Sequence, residues 1–105
     1  MLANLTPTRV EGRGVLRRVP VSPELTKFIF ETEGGQLEIL LIDPPGHQAN
    51  LIVTMEEMIY IIAKSCREEV ITAIEGAAES CNNPDDFFDY VHADLATFAD
   101  VIVRG

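Results

Sequence analysis

Four side chains in this sequence are soft enough to ligate a transition metal or to serve as activated nucleophile and base: Cys66, Cys81, His47 and His92. Zinc sites use such residues in short pairs, C-x₂-C or H-x₃-H, so that two ligands on one turn converge on one ion. No pair here has that spacing, and no metal is expected. Cys81 and His92 lie eleven residues apart and flank what reads as a helix–helix turn. A thiol–imidazole pair is conceivable there, but nothing between them supplies the third group that orients such a base. Cys66 reads as a buried thiol within an apolar stripe. His92 reads as a half-exposed histidine at the border of an apolar helix face.

Anion chemistry has one weak sign. Gly12-Arg13-Gly14 is a lone G-x-G that precedes a strand, whereas a dinucleotide fingerprint opens a helix. Arg9, Arg13, Arg17 and Arg18 could grip a phosphate; in a chain of net charge −9, pairing with its own carboxylates is the favoured reading. Neither G-x-S-x-G nor H-E-x-x-H occurs. No catalytic, cofactor-binding or metal-ligating residue is assigned, and no cofactor is expected.

The elements that would position these residues follow from periodicity. The expected fold is α+β, one domain over residues 1–105: an antiparallel sheet of three to four strands within about 10–53, then two antiparallel helices packed on one sheet face. Val10 to Val21 reads as a strand ended by Pro20 and Pro23. From Thr26 to Asp43 two β-favouring runs flank Gly34-Gly35, which suits a two-residue hairpin loop. That loop sets Phe30 opposite Ile39, Phe28 opposite Leu41 and Thr32 opposite Leu37 on one face, with Glu31 opposite Glu38 on the other. The acidic pair reads as surface charge offset by the arginines of the neighbouring strand. Leu51 to Val53 reads as a short fourth strand.

Two helices are expected, at about 55–81 and 84–103. Thr54 and Glu57 have capping-box spacing for the first. Its apolar positions fall in two stripes, one for the sheet and one for another helix. Asn83-Pro84-Asp85-Asp86 is a start signal for the second, with N-cap, proline at N1 and acids in the first turn. Within one such helix the fifteen residues from Cys66 to Cys81 span about 22 Å, so no disulfide is expected.

At 105 residues and 11.6 kDa, with 47% hydrophobic and 24% charged residues, the chain can bury a core without a covalent or metal staple. The start carries no basic, apolar leader, and the longest apolar run, Met58 to Ala63, is far below the about 20 residues of a membrane span. A soluble cytoplasmic protein with reduced thiols is expected, with no membrane role.

Charge is uneven. Residues 1–54 hold six acids and five bases; residues 55–105 hold eleven acids against Lys64, Arg67 and Arg104. Nucleic-acid binding needs the opposite sign. Glu57, Glu68, Glu75 and Glu79 should form an acidic ridge on the first helix, either a solvated face or a surface for a basic protein. Tyr60, Ile61 and Ile71 should border that ridge in an exposed sector and serve as the contact of a symmetric homodimer. The leading expectation is therefore a non-enzymatic protein-interaction module, an adaptor, small inhibitor or chaperone-like subunit, binding through its acidic helical half. An acidic mimic of nucleic acid that blocks a basic protein is the alternative, and an enzyme without a recognisable motif is third.

Overall fold

The structure, a computed structural model, describes residues 14–46 and 49–105. Arg9, Gly12, Arg13 and His47 lie outside the described residues.

Five strands run in succession: β1 (Val15–Pro20), β2 (Leu25–Thr32), β3 (Gly35–Ile42), β4 (Asn50–Met55) and β5 (Met58–Ala63). A 3₁₀ turn at Lys64–Cys66 leads into two helices, α1 (Arg67–Ser80) and α2 (Pro84–Phe98), and the chain returns as β6 (Ala99–Arg104). The six strands form one antiparallel sheet in the order β1-β2-β3-β4-β5-β6, so β6 closes on β5 after the helices. No helix among the described residues is long and apolar enough to cross a membrane.

The α+β class and the helical pair agree with the sequence, but among the described residues the sheet has six strands instead of three or four. The expected helix over 55–81 begins only at Arg67, and Met55 to Ala63 forms a hairpin with a turn at Glu56-Glu57. Thr54 therefore pairs with Ile59 across the ladder and caps nothing. Met58-Ile59-Tyr60-Ile61-Ile62 is dense in β-branched and aromatic side chains, which suit a strand buried to some degree on both faces. Such a run lacks alternation, so periodicity alone does not separate it from a buried helix. The expected helix over 84–103 likewise stops at Phe98, where Val101-Ile102-Val103 takes up strand geometry.

The start of α2 is as read: Asn83 Oδ1 accepts from the Asp86 N–H at 2.8 Å, with Pro84 opening the first turn. The β2–β3 hairpin also forms, with its loop one residue earlier, at Glu33-Gly34. Thr32 Oγ1 accepts from the Gly34 N–H at 3.1 Å and donates to the Gly35 carbonyl at 3.0 Å, fixing the turn through its own hydroxyl. Phe30 thus faces Leu37, and Phe28 faces Ile39. Pairing slips by two residues, an even number, so the same side chains remain on the core face. Glu31 faces Gln36, and Glu38 faces Ile29, so the acidic pair does not form.

The core lies between one sheet face and the two helices. Phe28, Phe30, Ile39, Val53, Tyr60 and Ile62 meet Val70, Ile74, Phe87, Val91 and Leu95 there. Phe30 stacks on Phe87 with ring centroids 4.2 Å apart. Gly14 passes over the same ring so closely that a Cβ there would collide with Phe30 Cζ. The last glycine of the G-x-G thus has a packing reason to be glycine.

Candidate functional site

Strand alternation sends every second side chain to the face opposite the helices. On that face lie Ile29 of β2, Leu40 and Ile42 of β3, Ile52 of β4, Ile59 and Ile61 of β5, and Val101 and Val103 of β6, as the ladder registers dictate. None of them belongs to the core cluster or packs against it. Among the described residues no element covers this face. Val101 and Val103, at the sheet edge, are 50% and 45% exposed. The others are partly shielded by their neighbours within the sheet. Ile52 and Ile61 are direct partners across β4 and β5 and sit near the middle of the aliphatic patch.

Charged side chains on this face gather toward β1. Arg17 Nη2 donates to Glu31 Oε2 at 3.2 Å, and Lys27 Nζ lies 4.0 Å from Glu38 Oε1. These pairs leave the face without net charge. The Arg17 pairing is the self-neutralisation that the sequence suggested for this strand.

The opposite side of the molecule differs. Residues 67–98 carry Glu68, Glu69, Glu75, Glu79, Asp85, Asp86, Asp89 and Asp94 against Arg67 alone. Arg67 is already engaged, 3.5 Å from both Asp43 and Glu68, and Lys64 holds Asp43 at 3.3 Å and the Pro44 carbonyl at 2.6 Å. The helical layer is thus strongly acidic and the open sheet face neutral and aliphatic.

The residues expected to act together are dispersed. Glu57 lies in the β4–β5 turn, 3.9 Å from Arg104, and is not on a helix. Glu68, Glu75 and Glu79 are exposed on α1. Tyr60 and Ile71, expected in an exposed sector, are 0% and 5% exposed. Tyr60 points into the core from β5, and Ile71 packs there from α1. Of that trio only Ile61 reaches a surface, and it does so on the open sheet face.

Among the described residues the two thiols are free and His92 engages a tyrosine. Cys81 is the buried cysteine and Cys66 the partly exposed one, the reverse of the expectation from an unbroken helix. Burial pushes the Cys81 thiol up, and the carboxylate of Asp86 adds to the shift. His92 Nδ1 lies 2.7 Å from Tyr60 Oη, and its ring stacks on Phe88 at 5.9 Å. That contact satisfies the hydroxyl of a fully buried tyrosine, whose pKa desolvation raises from 10.0 to about 12. No cluster of three or more His, Cys, Asp or Glu suited to a metal occurs among the described residues.

A hollow of about 560 Å³ opens between the β4–β5 turn, the end of β6 and the start of α2. Glu56, Glu57, Asp85, Asp89 and Arg104 line it beside Phe88. Glu56 has φ of +57°, where glycine is the usual occupant.

The open face is not legible in the sequence because Met58 to Ile62 reads equally well as helix, a geometry that carries Ile59 and Ile61 to a different surface. The signal that could have found it is the run of Ile52, Ile59, Ile61, Val101 and Val103 in segments too short for helices. No family model, curated protein or solved structure matches the chain.

Proposed function

We propose that this chain is a non-enzymatic protein-interaction module whose binding surface is the open face of its sheet. The observation that carries the reading is the aliphatic patch from Leu40 and Ile42 through Ile52 and Ile61 to Val101 and Val103, left uncovered among the described residues while the helices cover the other face. Apolar patches of more than a few hundred Å² mark interaction sites, because their exposure to water is unfavourable. The non-enzymatic part is supported by the hollow at the β4–β5 turn, which is open. No side chain classed as polar or charged is buried among the described residues, and the buried Tyr60 hydroxyl is spoken for by His92. Catalytic pockets rely on convergent, shielded polar groups. A cytoplasmic location is part of the proposal, since Cys66 and Cys81 persist as thiols in a reducing compartment.

A second reading keeps the acidic helical layer as the binding surface, for a basic protein or in place of a nucleic acid. It is favoured by the engagement of Arg67 with Asp43 and Glu68, which leaves the carboxylates of α2 without a base in the helical layer.

Site-specific photo-crosslinking in the native host separates the two. A crosslinking side chain at Ile52 or Ile61 should yield protein adducts, while one at Glu75 or Asp94 should yield none. Adducts only from Glu75 and Asp94 would move the binding surface to the helical layer and overturn the first reading.

A further inference from the structure

We propose that the partner of the open sheet face is a second copy of this chain, packed sheet against sheet about a two-fold axis. The inference rests on the reading above and names its occupant. Three observations carry it: the charge on the face, the charge behind it, and its area.

The charged side chains on the face cancel within one chain, Arg17 with Glu31 and Lys27 with Glu38. An identical face therefore meets it without net repulsion, and a partner of strongly basic or acidic surface gains nothing from it. The pairs also lie toward β1, so an axis near Ile52 and Ile61 puts aliphatic side chains at the centre and ion pairs at the rim. Apolar centre and polar rim is the usual anatomy of such contacts.

The helical layer, with eight carboxylates against Arg67, lies on the far side of each sheet. Any contact that used it would bring those carboxylates against each other or bury them on the aliphatic face of a neighbour, which is costly. Sheet-to-sheet packing turns both acidic layers outward. They are then separated by two sheets about 10 Å apart plus the cores between sheet and helix, well beyond the Debye length of about 8 Å.

The six strands, about 4.8 Å apart and about 20 Å long, present roughly 580 Å². Two such faces bury roughly 1,150 Å², above the about 1,000 Å² that a specific interface should clear. The dimer is isologous, so it closes on itself and leaves no aliphatic face to recruit a third copy.

The test is light scattering of the intact chain during size exclusion, at tens of micromolar and in moderate salt. The expected species has about twice the monomer mass of 11.6 kDa. Ile61→Glu should convert it to monomer with an unchanged far-ultraviolet circular dichroism spectrum. Should that variant fail to fold, mild oxidation in a Cys66→Ala background gives a second readout: Ile61→Cys should crosslink to its own copy, and Glu75→Cys should not. A monomer under these conditions overturns the inference, as does a dimer that survives Ile61→Glu or crosslinks through Glu75→Cys. If the purified chain is monomeric while Ile61 crosslinks a different protein in the host, the second-copy assignment fails and the interaction reading stands. If Ile61 crosslinks nothing either, both fail.

Discussion

Tyr60 is the largest fully buried side chain among the described residues, and its hydroxyl reaches His92 at the border of the core. Replacing it by phenylalanine removes one hydrogen bond of 2.7 Å and leaves a half-buried imidazole that water can still reach, so the loss near neutral pH should be about 1 kcal/mol. The tyrosine also sets a pH dependence. Its pKa is raised from 10.0 to about 12 in the folded chain, so the stabilisation is complete below about pH 10 and is lost as pH rises through 12. Across that window wild type should lose about 2–3 kcal/mol that Tyr60→Phe retains. Urea unfolding of both proteins from neutral to alkaline pH should therefore show the stability gap closing and then reversing. A constant gap would mean that the hydroxyl is solvated. The burial of Tyr60 was hidden by its neighbours: with Ile59 and Ile61 beside it, nothing in the sequence distinguished inward from outward.

At the scale of elements, the two hairpins differ in how openly they are encoded. Gly34-Gly35 announces the β2–β3 turn, and parity alone placed Phe28, Phe30, Leu37 and Ile39 on the core face. The register within that hairpin was less legible, because it depends on Thr32 closing the turn with its own hydroxyl. Of these two glycines only Gly35 has positive φ, +142°, and a Cβ on Gly34 would meet Thr32 Oγ1 at an ordinary 3.8 Å. The β4–β5 turn carries no such signal, since Glu56-Glu57 contains neither glycine nor asparagine. Its φ of +57° at Glu56 is strain carried by the hairpin in place of a glycine. Glu56→Gly should accordingly raise stability by roughly 0.5–1 kcal/mol, whereas β-branched Glu56→Val should lower it, in thermal melts read by circular dichroism. Equal melting of both variants and the parent would remove the hairpin and with it the position of Ile59 and Ile61. The start of α2 was legible because Asn83, Pro84 and Asp86 act locally; its end was not, because Val101 to Val103 become a strand only through pairing with β5.

At the scale of the whole molecule, the fold sorts charge from apolar surface. The acidity of the second half is plain in the sequence, and the structure concentrates it on the helical layer. The neutral aliphatic face was not plain, since it is assembled from alternate residues of strands spread from β2 to β6. A protein so divided can meet a partner through one side while its carboxylates keep the other side in water, and that division is the central claim. It is tested most directly by methyl NMR with a dissolved nitroxide, which broadens signals in proportion to their access to solvent. With the purified chain at tens of micromolar, the methyls of Ile52, Ile59 and Ile61 should be protected, while those of Ala93 and Ala96, exposed on α2, are broadened. Broadening of Ile52, Ile59 and Ile61 to the same extent as Ala93 and Ala96 would show the face open to water and contradict the account.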